Sequence, residues 1–469
     1  MRNFSSKLQH PIFKVVSQVS TQREVPCYVV GGFVRDLILE RKSKDIDILV
    51  VGDGMTLAKE IALKLRVKKV SCFKNFGTAH FKYKDIDVEF VGARKESYSK
   101  ESRNPIVKKA SLKEDLQRRD FTINALALNL NKDNFGDLID LFNGISDLEN
   151  QLIKTPYNPL ETYSDDPLRM LRAIRFASQL NFRISIESLK SIHENAHRID
   201  IITKERITEE LNKIILSKKP SKGLKLLKTT NLLKYFFPEL LNLSGIETID
   251  GKSHKDNFNH TLEVVDNISE TTDNLWLRWA ALLHDIAKPK TKKFDKKIGW
   301  TFHGHEEVGA KMVPSIFKRL RLPLDSKMKF VKKMVRLHLR PIALVKGSVT
   351  DAALRRLLNE AGDDIDNLMM LCNADITSKN DYRVKKYKRN FEIVTQKLRD
   401  VEERDSIRNF QPPINGEFIM KTFKLSPCKE VGLIKTELKE AILDGKIENS
   451  FDQAYKEMLK IGEKLGFKI

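Results

Sequence analysis

Short apolar runs, several alternating apolar with polar residues, punctuate the first ~140 residues: CYVV, DIDILVV, GTAHFKY, DIDVEFVGAR and ALALNL. Each predicts a β-strand, because side chains alternate between the two faces of a pleated sheet. FVRDLILE, directly after Gly31-Gly32, predicts a short helix. The opening region therefore predicts a mixed α/β unit. From about residue 150 onward the strand signals fade. Helical periodicity takes over in DPLRMLRAIRFASQL, RITEELNKIILS and KGLKLLKTTNLLKYF. Pro238 and the stretch Gly251-Lys252-Ser253-His254 predict a boundary near 245–255. A second helical unit follows, and after about 385 a lysine-rich helical tail, broken by Pro412-Pro413 and the Asn415-Gly416 turn. The expected division is 1–150, 151–250, 251–385 and 386–469. There is no repeat array and no low-complexity tract.

Composition narrows the class. A chain of 469 residues exceeds one domain, and 41% apolar residues support packed cores rather than disorder. Lys and Arg number 84 against 63 Asp and Glu, a net charge of +21. That excess suggests a polyanionic partner, nucleic acid before membrane, although a generally lysine-rich proteome gives the same balance. Cys27, Cys72, Cys372 and Cys428 are scattered without a C-x-x-C pair, so buried thiols in a reducing cytosol are expected rather than disulfides or zinc. No signal peptide is read in Met1 to Ser20, and no run reaches the roughly 18 apolar residues that span a bilayer. A soluble cytoplasmic protein is the expectation.

The chemistry concentrates in GGFVRD and DID. Period-2 alternation puts Asp45 and Asp47 on one strand face and Ile46 and Ile48 on the other. Two aligned carboxylates can hold divalent metal ions. The Gly31-Gly32 turn at a helix start lets phosphate oxygens reach backbone N–H groups. Together they predict a metal-dependent nucleoside triphosphate site, with attack of a hydroxyl on an α-phosphate and departure of pyrophosphate. Asp87 and Glu89 share a face of a second strand, and Glu89 is the favoured third carboxylate. Arg118, Arg119, Asp120 and Asn124 form a further cluster suited to ribose hydroxyls and triphosphate charge.

GGFVRD, DID, RRDFTINA and DDPLRMLRAIRF, in this order, closely resemble class II tRNA nucleotidyltransferases, the CCA-adding enzymes, and the related bacterial poly(A) polymerases. The resemblance covers roughly residues 25–240. It implies an α/β head of DNA-polymerase-β type (an α/β fold), followed by all-α neck, body and tail domains. It implies Asp45, Asp47 and Glu89 as catalytic, with Mg2+ on Asp45 and Asp47. Nucleotide binding would fall to Gly31, Gly32, Arg35, Asp36, Arg118, Arg119, Asp120, Asn124, Asp165, Asp166, Arg169, Arg172 and Arg175. The family's base-selecting motif matches Asp165, Asp166 and Arg169, with Asp where the family has Glu at the first position. Asp166 and Arg169, three apart on a helix, are expected to share one face. A carboxylate only accepts and a guanidinium only donates. Cytosine and adenine each offer an amino donor beside a ring-nitrogen acceptor, so the pair suits both and collides with uracil and guanine. The expected activity is template-independent addition of C, C and A to tRNA from CTP and ATP. The charged link from Arg94 to Arg118 looks like the flexible loop that the family uses in switching from C to A. Glu205-Arg206-Ile207 and Glu209-Glu210-Leu211 resemble the family's last motif, with a packing role. The nearest alternatives are an A-adding enzyme working beside a CC-adding partner, and a poly(A) polymerase. A protein uridylyltransferase would need no base reader for C and A, and a decayed RNA-binding protein would not keep Asp45, Asp47 and Arg169.

His260, His284-Asp285, His305, His338 and Asp375 lie in the later helical region, in an order that resembles the HD phosphohydrolase superfamily. These six are the expected ligands of a divalent metal, with His305 and His338 fitting a second ion, and His303 a further ligand or substrate contact. The head-then-HD order resembles a subset of bacterial CCA-adding enzymes, in which the HD domain is linked to phosphatase or 2′,3′-cyclic phosphodiesterase activity. Lys379, Arg383, Lys385, Lys386, Lys388 and Arg389, interleaved with Tyr382 and Tyr387, form a basic run that can track tRNA phosphates.

Overall fold

The computed structural model describes residues 2–73, 77–99, 102–346, 349–377, 380–405, 408 and 410–467. They form two compact units, Met1–Leu241 and Asn242–Ile469. No helix among the described residues is long and apolar enough to cross a membrane.

The first unit is built on a seven-stranded sheet. Its strands are β1 (Cys27–Val30), β2 (Asp45–Val50), β3 (Ser71–Phe73), β4 (Thr78–Tyr83) and β5 (Ile86–Gly92). A separate hairpin pairs β6 (Arg94–Ser99) with β7 (Ser102–Lys109), and β8 (Leu126–Asn129) and β9 (Leu138–Asp140) complete the sheet. Its order is β3-β4-β5-β2-β1-β8-β9. Only β2 and β5 run parallel, and helix Gly54–Lys64 lies in the crossover between them. Asp53 starts that helix by accepting the N–H groups of Met55 and Thr56. Ile46, Ile48, Val88 and Phe90 are buried, and the rings of Phe81 and Phe90 stack at 5.7 Å. The opposite alternation leaves Asp45, Asp47 and Glu89 on the other face.

The link from Arg94 to Arg118, which resembles the family's flexible loop, has regular secondary structure among its described residues. It is the β6–β7 hairpin followed by helix Leu112–Gln117, which opens on a Ser111/Glu114 capping box. Charges of this link pair with one another. Glu96, with a side chain only 5% exposed, receives Arg94 and Arg118 at 3.0 Å each. Helices Pro159–Asp165, Leu168–Leu180, Ile186–Asn195 and Lys204–Ile215 then form a helical layer.

The second unit opens with two small hairpins, Thr248–Ile249 with Lys252–Ser253 and Lys293–Asp295 with Gly299–Thr301. Neither follows from the sequence pattern, since each strand is two or three residues long. Helices Asn257–Ser269, Leu275–Leu283, His305–Arg319, Ser326–Leu337 and Ile365–Ala374 surround the histidines. Helix Asp381–Asp405 carries most of the basic run, and Lys379 lies outside the described residues. The last three helices, Gly416–Phe423, Lys429–Leu443 and Phe451–Lys464, close around Ile419, Ile434, Leu438 and Met458.

Candidate active sites

In the first unit the parallel register sets Asp45 beside Asp87 and Asp47 beside Glu89. On its other side Asp47 pairs with Val30, the residue before the glycine turn. Gly31 adopts φ +74°, which a side chain would strain, and a Cβ there would lie 3.1 Å from Arg119 Nη1 and 3.5 Å from Asp47 Oδ2. The glycine turn, Asp47 and Arg119 thus converge. Burial pushes the Asp47 carboxyl up, Arg119 and Arg172 oppose that, and Asp45 adds to it. Burial also raises Glu89, and Asp47 raises it further. Asp47 thus has an acidic neighbour on each side, Asp45 along its strand and Glu89 across the register, an arrangement of carboxylate oxygens that suits a divalent cation. Asp87 is engaged elsewhere, 3.1 Å from His80 Nε2.

The cationic residues separate into two kinds. Arg35 is buried, bidentate on Asp36 at 2.9 and 3.0 Å, and donates to Asn124 Oδ1 at 2.7 Å. Asn124 donates to Asp120 Oδ1 at 2.9 Å, and Arg172 Nε donates to Asp120 Oδ2 at 2.8 Å. Burial disfavours the Asp120 charge, but Arg172 and Asn124 outweigh it and bring the carboxyl down to about 2. Arg118 is held by Asp115, Glu96 and the Arg94 carbonyl. Arg175 pairs with buried Glu210 at 3.2 Å, and burial lowers its guanidinium to about 10. Arg35, Arg118 and Arg175 therefore each have protein partners. Arg119 shares Asp115 at 3.1 Å and still faces Gly31. Asp115, which sequence reasoning passed over, organises both arginines from three and four residues upstream, a helical spacing that was there to be read.

Asp166 and Arg169 are not on one helix face, which corrects the expectation. Helix Pro159–Asp165 ends, Asp166 is extended at φ −129° and ψ 97°, and the next helix begins at Leu168. Pro167 is the cause, because a proline ring disfavours helical backbone in the residue before it. Asp166 caps the new helix, accepting the Leu168 N–H at 3.1 Å. Arg169 lies in the first turn, 3.9 Å from Glu96 Oε2. Partial burial raises the Asp165 carboxyl, and Arg169 opposes the rise. Phe176 underlies this region, with the guanidinium carbons of Arg35, Arg172 and Arg175 at 4.8, 5.5 and 4.2 Å from its centroid.

In the second unit all six expected residues meet. His260 Nε2 is 3.0 Å from Asp375 Oδ1 and 3.4 Å from Asp285 Oδ2. His284 Nε2 is 3.2 Å from Asp285 Oδ2. His305 and His338 approach the other oxygen, Asp285 Oδ1, at 3.2 and 3.9 Å. Two ligand triads result, His260/His284/Asp285 and Asp285/His305/His338, with Asp285 shared. The Nδ1 atoms of His284, His305 and His338 each sit 2.7 Å from a carbonyl three residues back, of Ala281, Phe302 and Val335. His260 Nδ1 meets Thr377 Oγ1 at 2.9 Å. All four rings therefore turn Nε2 inward, as outer partners do for metal-binding imidazoles. His284 Nε2 is buried without a well-formed hydrogen bond, a lone pair that a bound cation would satisfy. Burial disfavours charge on His284, yet Asp285 and Asp375 override it and lift the imidazole to about 10. Burial and the neighbouring His284 push His338 down to about 4. His303 is exposed and belongs to neither triad. Lys288, 2.6 Å from Asp285 Oδ2, and Thr377 are partners that the sequence reading missed.

Residues 27–154 match the Poly A polymerase head domain, 181–243 the Probable RNA and SrmB- binding site of polymerase A, and 257–378 the HD domain. The chain is 34% identical over 308 residues to the Multifunctional CCA protein of Shewanella frigidimarina, covering 63% of this chain and 70% of that protein. It is 40% identical over 201 residues to the A-adding tRNA nucleotidyltransferase of Aquifex aeolicus, 43% of this chain but only 24% of that longer protein. The fold matches the Thermotoga maritima CCA-adding enzyme complexed with tRNA at TM-score 0.61 and 22% identity, over 98% of this chain and 99% of the other.

Proposed function

The chain belongs to the class II CCA-adding tRNA nucleotidyltransferase and poly(A) polymerase family, in the bacterial form that carries an HD domain, and on that premise we propose that it completes tRNA 3′ ends. It adds C, C and A from CTP and ATP without a template. The observation that carries this reading is the placement of Asp47 beside Glu89 in the β2–β5 register and beside Gly31 and Arg119 at the glycine turn, with Asp45 two residues earlier on the same strand. Asp45 and Asp47 would hold Mg2+, which when bound lowers the pKa of the tRNA 3′ hydroxyl and neutralises the departing pyrophosphate. Glu89 completes the acidic face. Backbone N–H groups after Gly31 and the Arg119 guanidinium bind the triphosphate. Asp166 and Arg169 read the base edge, and Glu96, 3.9 Å away, orients the Arg169 guanidinium. The asymmetric donor–acceptor pattern admits cytosine and adenine, and leaves buried groups unpaired against uracil and guanine. A tRNA substrate sets this work in the cytoplasm.

In the second unit we propose a metal-dependent phosphohydrolase that opens 2′,3′-cyclic phosphates or removes terminal phosphates from RNA. His260, His284, Asp285 and Asp375 would hold one divalent ion and Asp285, His305 and His338 another. Bound ions of this kind supply a hydroxide nucleophile and charge on the phosphoryl oxygens. A cyclic phosphate blocks the 3′ hydroxyl that the head requires, so the two activities suit one chain.

The test is nucleotide incorporation on tRNAs ending at the discriminator base, at C and at CC, with each NTP alone and with CTP plus ATP. Two C additions followed by one A support the proposal. Incorporation of A alone, and only on tRNA ending in CC, supports the second reading, an A-adding enzyme, which the likeness to A-adding relatives from Aquifex aeolicus and Geobacter sulfurreducens favours. Long A tails would move the chain to the poly(A) branch. For the second unit, His284→Ala is expected to abolish cyclic-phosphate hydrolysis and leave nucleotide addition intact.

A further inference from the structure

The His/Asp cluster is bordered by the two small hairpins of the second unit, and their surface has a chemistry of its own. Hairpin Lys293–Thr301 runs directly into Phe302, whose carbonyl holds His305 Nδ1 at 2.7 Å. Hairpin Thr248–Ser253 runs into helix Asn257–Ser269, which carries His260. The hairpins are joined where the Trp300 indole N–H donates to the Lys252 carbonyl at 2.9 Å and Lys252 Nζ donates to the carbonyls of Lys296 and Lys297 at 2.9 Å each.

Aromatic rings stand on this surface in edge-to-face contact. Trp300 meets Phe294 and His254 at 5.2 Å, with planes 68° and 85° apart. Such packing leaves ring faces unstacked against one another. Lys292 Nζ lies 5.3 Å from the Trp300 ring, and Lys288 Nζ 5.7 Å from the Phe302 ring. Lys290, Lys293, Lys296 and Lys297 are exposed and, among the described residues, have no carboxylate partner. Asp295, the one acid of the Lys293–Thr301 hairpin, is committed to its own turn, accepting the N–H groups of Lys297 and Ile298 at 2.8 Å.

We infer that this surface is a docking platform for the 3′-terminal single strand of RNA, and that it delivers the terminal phosphate to the His/Asp cluster. The inference rests on the phosphohydrolase reading and names its substrate as a polynucleotide rather than a mononucleotide. A mononucleotide needs one anion site. A row of unpaired lysines beside aromatic rings suits several successive phosphates and stacked bases. Hydrolysis at the delivered end is balanced without a further reactant. A water oxygen bonds to phosphorus, one P–O ester bond of the ring breaks, and the released sugar oxygen takes the proton.

The experiment compares the full chain, supplied with Mn2+ or Ni2+, on two substrates: cytidine 2′,3′-cyclic monophosphate and an eight-nucleotide RNA ending in a 2′,3′-cyclic phosphate. The readout is the ratio of kcat/KM for the RNA to that for the mononucleotide. In Lys293→Glu/Lys296→Glu/Lys297→Glu the ratio is expected to fall about tenfold or more at moderate salt. The triple Arg variant, which keeps the charges, is expected to hold the wild-type ratio and controls for folding. A Glu variant with a ratio within twofold of wild type overturns the platform while leaving the phosphohydrolase standing. If wild type hydrolyses neither substrate, the phosphohydrolase reading fails, and the platform is judged by a second readout. The same RNA with a 3′-terminal 4-thiouridine is irradiated on the wild-type protein and the crosslink mapped by mass spectrometry. A crosslink within residues 292–302 that Trp300→Ala removes supports docking there, and crosslinks confined to the first unit overturn it.

Discussion

Arg169, the proposed base reader, lies 3.9 Å from Glu96 in the first turn of its helix. The ion pair with Glu96 is long, at 3.9 Å, so the group is oriented without being consumed. Arg169→Ala removes donors that would meet the ring-nitrogen acceptor of cytosine and adenine but the ring N–H of uracil and guanine. Discrimination against UTP is expected to fall roughly 10- to 100-fold, from a loss of about 1–3 kcal/mol per unpaired group. Paired CTP and UTP incorporation on tRNA ending at the discriminator base measures it, and an unchanged ratio would assign base reading elsewhere. Asp120 acts on stability instead. Its carboxyl lies at about 2 in the fold against an ordinary value near 3.9 when unfolded. The stabilisation, roughly 2–3 kcal/mol, is therefore complete above pH ~4 and lost as pH falls through about 2. Chemical denaturation from pH 5 to pH 2 should show Asp120→Asn losing its deficit against wild type as the pH falls. A deficit that stays constant would show that the charge is not the cause.

At the scale of the element, the break at Pro167 matters more than the helix that follows it. Extended backbone at Asp166 lets one carboxylate cap a helix and still lie next to its first turn. Pro167→Ala permits helical backbone through this point and would join Pro159–Asp165 to Leu168–Leu180. The expected result is a fold at least as stable, with discrimination against UTP and GTP reduced about tenfold, since one unpaired group is involved. Circular dichroism together with the incorporation ratios checks both halves. A variant with unchanged ratios would show that the extended Asp166 has no part in selection. The same scale separates what was legible from what was not. Strands β1, β2, β4, β5 and β8 follow from short apolar runs: β5 alternates plainly, while β1 and β8 are apolar because most of their residues are buried on both faces. The β6–β7 hairpin escapes such a reading, because Glu96 and Arg94 look solvated until Arg118 arrives from 22 residues away in sequence.

Across the whole molecule, the two compact units hold different candidate residues, carboxylates and arginines in the first and the His/Asp cluster in the second. A transition-metal ion held by the His/Asp cluster should raise the unfolding temperature of the second unit, by an amount equivalent to about 4 kcal/mol when free metal is a thousand times its dissociation constant. Scanning calorimetry of the full chain, with and without added metal after chelation, reads this as a shift of one transition. His284→Ala should abolish the shift, and a shift that survives it would put the metal elsewhere. The sequence by itself determined the two carboxylates on one strand, the glycine turn before them, and the order of His and Asp residues in the second unit. Those signals are local, because a strand period, a turn and a motif spacing need no distant partner. Tertiary structure decided the rest. Only folding brings Glu89 beside Asp47 through a parallel crossover, since parallel neighbours are distant in sequence. Only folding shows that Arg35, Arg118 and Arg175 are held by protein partners, and that Asp285 is shared between two triads drawn from helices far apart in the chain. Charge pairing and metal-ligand geometry are set by distances of a few ångströms, and residues remote in sequence reach such distances only in the packed fold.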